Sequence, residues 1–156
     1  MEAIPTPAER FSMTPTCPLC GNDAGITLWR DALCRVALVD EPGYPGFLRV
    51  ILNAHVKEMT DLPAAEQTAL LRVVLASESA LREVMAPDKI NLASLGNVVP
   101  HLHWHVIARF TGDPHFPNSV WGERRRNDAP VAPGEDLTAR LADALNRRLA
   151  LAPEPE

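Results

Sequence analysis

Short apolar blocks separated by turn-forming residues fill the first third of the chain. The blocks at 26–30, 34–39 and 47–52 are rich in β-branched and aromatic residues. Asp31 lies between the first two blocks, and a stretch of proline and glycine at 41–46 precedes the third. This pattern predicts three strands of an antiparallel meander.

From Asp61 the apolar residues recur every three or four positions up to Met85, which is typical of an amphipathic helix. The recurring positions are Leu70, Val73, Val74, Ser77, Leu81 and Val84. Pro63 suits a first helical turn and Pro87 ends the pattern. We predict one long helix here.

Strand character returns at 89–95 and 101–110, with a turn at 96–100 between them. Near the end, Leu137, Leu141, Leu145 and Leu149 lie four residues apart, which predicts a second helix. Five strands, a long amphipathic helix and a C-terminal helix indicate an α+β domain.

Composition narrows the functional classes. The chain has 156 residues, is 46% hydrophobic and carries a formal net charge of −5, so we expect one core and no nucleic-acid polymer as partner. A small nucleotide ligand remains compatible with this charge. No apolar run reaches membrane-spanning length, and three cysteines suit a reducing cytoplasm, so we expect a cytoplasmic protein without a membrane partner.

The most informative stretch places His101, His103 and His105 at alternating positions. In one strand these three imidazoles share a face, and Leu102 with its alternating neighbours packs into the core. The outer pair would lie about 13 Å apart, too wide for one tetrahedral metal ion. We therefore expect the three histidines to have different roles. One outer histidine is available to bind a structural metal, and the other two face a substrate. A face of purely structural histidines is the alternative.

A neutral imidazole can attack phosphorus without a separate strong base, and a second imidazole can hydrogen-bond the phosphoryl oxygens or protonate the leaving group. The segment 101–107 resembles the His-x-His-x-His-apolar-apolar signature of the histidine triad (HIT) family. The resemblance extends upstream through 46–56 to an isolated His55 and covers residues 17–121. Within this family, the chain resembles bacterial HIT-like nucleotide hydrolases with an N-terminal Cys-x-x-Cys.

This resemblance implies a five-stranded antiparallel sheet flanked by helices and a homodimer. It further implies a nucleotide hydrolase or nucleotidyl transferase that acts at the α-phosphate of dinucleoside polyphosphates or adenylated amines through a nucleotidyl-histidine. We accordingly divide the chain into an N-terminal arm at 1–16, the HIT-like domain at 17–121 and a C-terminal extension with a helix at 122–156.

Position by position, the resemblance makes His103 the nucleophile and His105 the phosphate-contacting partner. It makes Asn91 and Asn97 candidate substrate-binding residues. Val98 stands where relatives often have a serine, so one hydroxyl near the phosphate is missing. Arg109 is retained after the signature and is assigned either to phosphate contact or to a surface salt bridge.

Cys17 and Cys20 form a Cys-x-x-Cys, a spacing that lets two thiolates bind one tetrahedral ion. Some HIT branches resemble this chain in having such a pair, and the resemblance implies that His55 and His101 complete a structural zinc site. Free thiols and a redox dithiol are the alternatives.

Two other functions stay open from the sequence. The first is a zinc-dependent hydrolase that uses metal-activated water. The second is a non-catalytic nucleotide-binding domain. Three lesser features, His115, Trp121 and the charge run at 123–128, are assigned to loop, packing or solvent, with substrate contact as the alternative reading.

Overall fold

The computed structural model describes residues 14, 16–22, 24–127 and 132–150. Most of the predicted arm at 1–16 lies outside these residues. The elements in chain order are β1 (Ile26–Arg30), β2 (Cys34–Leu38), β3 (Phe47–Leu52), a 3-10 helix (Met59–Asp61), α1 (Ala64–Met85), β4 (Lys89–Ala93), β5 (His103–Arg109) and α2 (Leu137–Ala150). The predicted α+β class, with five strands and two α-helices, is confirmed.

The five strands form one antiparallel sheet in the order β1-β2-β3-β5-β4. Strand β5 therefore lies between β3 and β4, and its register with β3 pairs Ile51 with His103 and Arg49 with His105. Strand β4 lies at the edge of the sheet.

Both α-helices pack on one face of the sheet. Helix α1 buries Leu70, Val74 and Leu81 among others, and α2 contributes Leu141 and Leu145 to the same core. Leu48, Val50 and Val106 point from the sheet toward this core because side chains alternate between faces along a strand. No helix in the described ranges is long and apolar enough to cross a membrane.

The opposite face of the sheet carries the chemistry-bearing residues. Its side chains come from the odd-numbered positions of β2, β3 and β5, and the segment 16–22 covers part of it, where Leu19 packs against Ala37 and Ile51. Strand β5 thus serves the core with one set of side chains and a candidate site with the other.

Strand β5 begins at His103, so the predicted start at position 101 is wrong by two residues. The N–H of His101 donates to the carbonyl of Val99 at 2.8 Å, which places His101 in a turn before the strand. Strand β4 also ends at Ala93 rather than at the predicted position 95. The division into domains at 17 and 121 stays a prediction, although α2 packs against α1 and β1.

Candidate active site and metal centre

Two cysteines and two histidines converge at the start of the histidine signature. Cys17, Cys20, His55 and His101 each offer one ligand atom, and these four atoms lie within 4.8 Å of one another. The Sγ of Cys20 is 3.3 Å from Nδ1 of His55 and 3.5 Å from Nδ1 of His101. Ligands of one tetrahedral zinc ion, bound at about 2.0 to 2.3 Å, are separated by roughly 3.5 Å. The predicted metal residues are therefore brought together by the fold.

The orientation of His101 is fixed by the sheet. Its Nε2 lies 2.6 Å from the carbonyl oxygen of Leu52, which can only accept, so Nε2 carries the proton. The lone pair of Nδ1 then faces the two thiols. A ring nitrogen that donates to a backbone carbonyl while the other faces a metal is the usual arrangement of a histidine ligand.

Arg35 fastens the cysteine segment to the sheet. Its buried guanidinium donates to the carbonyl of Leu19 at 2.6 Å and to that of Asn22 at 2.7 Å. Arg35 was not among the site residues predicted from the sequence, although an arginine inside an apolar strand was a visible signal. Burial raises the pKa of the Cys20 thiol, and the neighbouring Cys17 raises it further. Two thiols and two imidazoles held this closely form a donor set suited to zinc.

His103 lies directly after this cluster and is linked to it through the backbone. Its Nδ1 is 2.5 Å from the carbonyl oxygen of His101, so Nδ1 must be the protonated nitrogen. Nε2 is then left with a lone pair. The side chain is buried, and desolvation lowers the pKa of His103 below its ordinary value, which favours the neutral imidazole.

His105 follows His103 on the same face of β5 and is the second imidazole of the candidate active site. Its ring lies 4.9 Å from that of His103, 5.7 Å from Phe47 and 4.9 Å from Trp121, measured between centroids. Burial, followed by the neighbouring His103 and Arg49, lowers the pKa of His105 to about 4. Its Nδ1 is buried and has no hydrogen-bond partner among the described residues. The side chain is thus neutral near pH 7 and holds an unused polar atom.

A cavity of about 250 Å³ opens beside His103. Its wall includes Lys57, Thr60, Ser94 and Gly96 together with His101 and His103. The Ser94 hydroxyl donates to the carbonyl of His103 at 2.8 Å, so it supports the backbone of the signature. A ligand in this cavity would lie against the nucleophile predicted from the sequence.

Arg109 is placed for a structural role. The guanidinium is 2% exposed, forms a salt bridge with Asp113 at 2.7 Å and donates to Oδ1 of Asn91 at 2.7 Å and to the carbonyl of Asn118 at 2.8 Å. The rings of Tyr44 and Phe116 lie within 5.7 Å of Cζ. The salt bridge is therefore buried rather than on the surface, and the geometry gives no support to phosphate contact by Arg109.

The other predicted substrate residues are less engaged with the histidines. Asn91 accepts the bond from Arg109 just described, and Asn97 is exposed in the turn before the signature. Val98 is 93% exposed, so the position often held by a serine contributes no polar contact. His115 bonds the Tyr44 hydroxyl through Nδ1 at 2.6 Å, away from the triad.

Sequence reasoning missed Arg49, which lies on β3 directly opposite His105. Its charge contributes to lowering the pKa of both His103 and His105. An arginine between Leu48 and Val50 was a visible signal, but its neighbours on other strands depend on the register of the sheet.

Comparison with known proteins identifies the family. The HIT domain model matches residues 22–112, more than half of the 156-residue chain. This chain belongs to the HIT domain family. The resemblance drawn from residues 46–56 and 101–107 is therefore confirmed, together with the HIT-like fold.

The proteins similar to this chain include one of known structure and two named enzymes. A histidine triad protein from Bradyrhizobium japonicum is 32% identical with a TM-score of 0.64, covering 81% of this chain and 91% of its own. A protein named AP-4-A phosphorylase from Mycobacterium tuberculosis is 26% identical over 125 residues, 76% of this chain and 63% of its own length. A bis(5'-nucleosyl)-tetraphosphatase (asymmetrical) from Schizosaccharomyces pombe is 28% identical over 97 residues, 59% of this chain and 53% of its own. This chain therefore matches less than two thirds of the length of these two enzymes.

Proposed function

We propose that this HIT protein is a nucleotide hydrolase or nucleotidyl transferase whose nucleophile is Nε2 of His103. The observation that carries the proposal is the bond from Nδ1 of His103 to the carbonyl of His101. This bond gives Nδ1 the proton and leaves Nε2 with a lone pair, in a residue that also lines a cavity. No separate base is required.

The reaction proceeds in two displacements. Nε2 of His103 attacks the α-phosphorus, a P–N bond forms, and the P–O or P–N bond to the leaving group breaks. The departing oxygen or nitrogen keeps the electron pair and takes up a proton from water, and the acceptor of the second displacement returns a proton to the solvent. His105 stabilises the phosphoryl oxygens by hydrogen bonding, for which its unpartnered Nδ1 offers a polar atom. Water or another acceptor then attacks the nucleotidyl-histidine and releases a nucleoside monophosphate or its adduct, leaving His103 neutral again.

The substrates we propose are dinucleoside polyphosphates and adenylated amines. The names of the relatives from Mycobacterium tuberculosis and Schizosaccharomyces pombe support the first class. Both classes share the feature that His103 requires, a nucleoside α-phosphate joined to a group that can leave. We also propose a cytoplasmic location, because a site with two thiolate ligands suits a reducing compartment.

We further propose a structural zinc ion held by Cys17, Cys20, His55 and His101. Zinc would tie the cysteine segment to the sheet and hold in place the carbonyl of His101 that orients His103. Four protein donors fill a tetrahedral shell, whereas a catalytic zinc keeps one position open for water. This donor set therefore favours a structural ion over the alternative of a zinc-dependent hydrolase.

The edge strand supports a homodimer. Leu92 on β4 and Leu71 and Leu75 on α1 are 40%, 40% and 56% exposed. A second copy paired along β4 would cover an open strand edge and these side chains. Sedimentation of the parent and of Leu75→Glu tests this: a dimeric parent with a monomeric variant is expected, and a monomeric parent contradicts it.

Release of AMP by the purified protein tests the enzymatic proposal. Diadenosine tetraphosphate and an adenosine phosphoramidate serve as substrates, and His103→Ala is compared with the parent and with His115→Ala. We expect His103→Ala to lose at least about 10³-fold in kcat, as removal of a covalent nucleophile does. His115→Ala should retain turnover because His115 bonds Tyr44 outside the triad.

Two results separate this mechanism from its rivals. Turnover that survives a chelator in folded protein excludes metal-activated water. Nucleotide binding without turnover in the parent would replace the enzyme by a non-catalytic nucleotide-binding domain. Circular dichroism of each variant confirms that the fold is retained.

A further inference from the structure

Arg49 lies on the same face of the sheet as His103 and His105. Within β3 it pairs with Ala37 of β2 on one side and with His105 of β5 on the other. Ala37 is buried beneath Leu19, whereas His105 lies next to Arg49 on the same face. Arg49 is therefore a direct cross-strand neighbour of an imidazole of the triad.

Among the residues that the structure describes, no acidic side chain contacts the guanidinium of Arg49. Its Nε is buried without a hydrogen-bond partner, and no described carboxylate forms a salt bridge with it. Glu41 acts on it only at longer range, and burial lowers the pKa of Arg49. The buried Arg109, by contrast, is paired with Asp113.

An incompletely solvated cation without a partner costs free energy in the folded protein. A bound anion would satisfy the guanidinium and the unpartnered Nδ1 of His105 together. The arrangement is therefore complementary to an anion, which no described side chain supplies.

The surroundings strengthen such an interaction. The Phe47 ring lies 5.9 Å from Cζ of Arg49, and the rings of Phe47 and Trp121 both contact the His105 ring edge-on. Apolar rings exclude water and make a charge-assisted hydrogen bond stronger. Two other candidate polar groups are absent from this place, because Arg109 is committed to Asp113 and Val98 has no hydroxyl.

We propose that the guanidinium of Arg49 binds the non-bridging oxygens of the substrate phosphate that contacts His105. This inference rests on the proposed function and adds to it the residue that supplies positive charge to the phosphate site. Arginine suits the task because its planar fork can donate two bonds to one phosphate. Arg49 is a substrate-binding residue in this account, and its charge also stabilises the phosphoryl group while His103 attacks.

Calorimetric binding of AMP and of inorganic pyrophosphate tests the inference in the His103→Ala protein, where turnover cannot interfere. Arg49→Met and Arg49→Lys are added to this background, with Arg82→Met as the matched control because Arg82 is an exposed arginine on α1. We expect Arg49→Met to weaken AMP binding by about 10- to 100-fold, the effect of losing hydrogen bonds to a charged group. Arg49→Lys should recover part of this loss, and Arg82→Met should stay within about twofold of the His103→Ala protein.

The melting temperature distinguishes phosphate binding from a structural role. Removal of an unpartnered charge should leave Tm unchanged or raise it. AMP binding within about twofold of the His103→Ala protein in Arg49→Met, or a lowered Tm in that variant, would overturn the inference. If the His103→Ala protein binds pyrophosphate through Arg49 but not AMP, the anion site stands and the proposed nucleotide function fails. If it binds neither, both fail.

Discussion

The two halves of the sheet face opposite the helices differ in how their polar atoms are partnered. In the half formed by Cys17, Cys20, His55 and His101, ligand atoms face one another and His101 also donates to Leu52. In the half formed by His103, His105 and Arg49, buried polar atoms are left without partners. A set of mutually satisfied donors builds structure, whereas buried polar atoms without a partner are candidates for contact with a ligand.

Two arginines repeat this contrast within one protein. Arg109 is paired with a carboxylate, bonded to Asn91 and stacked between aromatic rings. Arg49 is half-buried beside His105 and has no salt bridge among the described residues. We therefore expect Arg109 to contribute to stability and Arg49 to contribute to binding, although both are arginines.

The largest expected effect on stability is that of Arg109→Met. It leaves the buried carboxylate of Asp113 without its partner, and loss of one member of a buried pair costs about 3–5 kcal/mol. Thermal unfolding should show a clearly lower Tm, in contrast with Arg49→Met. Equal melting temperatures for Arg109→Met and Arg49→Met would contradict the different roles that we assign to the two arginines.

The next effect concerns the cysteine and histidine half. Cys20→Ser should abolish the binding of one zinc ion per chain and destabilise the protein by about 3–4 kcal/mol, the linkage expected for a tightly held ligand. Metal analysis and thermal unfolding measure both quantities. Cys34→Ala is the matched control, because buried Cys34 lies in β2 outside the cluster and its loss should leave the zinc content unchanged. A parent without zinc after purification in zinc-containing buffer would contradict the proposed metal centre.

The smallest effect is a pH dependence of stability that comes from His105. The pKa of this residue falls from an ordinary 6.5 to about 4 in the fold, so between these values the unfolded chain binds a proton that the folded chain does not. Stability therefore decreases as pH falls through this window. His105→Asn should lose less Tm than the parent between pH 7 and pH 5, by a few degrees. An identical loss in both proteins would mean that His105 does not titrate as the burial implies.

Most of the fold could be predicted because the signals are local. Apolar periodicity located the helix ending at Met85, and turn residues separated the strands around Asp31. The start of β5 was missed because a backbone bond from His101 to Val99 closes a turn that histidine alternation does not reveal.

The candidate site was predictable only where adjacent positions determine it. The alternation of His103 and His105 predicts their shared face, and their rings are 4.9 Å apart. Arg49 was missed because its neighbour His105 is distant in sequence and is brought close by strand register. The role of Arg109 could not be read because the sequence does not show that Asp113 folds back onto it.

The most direct test of the central claim is to isolate the covalent intermediate. The protein is mixed with diadenosine tetraphosphate, quenched within milliseconds, and digested under alkaline conditions that preserve phosphoramidates, and its peptides are analysed by mass spectrometry. The account predicts one AMP group on His103, absent from His103→Ala and still formed in His115→Ala. AMP released at the parental rate with no adduct on His103, or with an adduct on another residue, would contradict it.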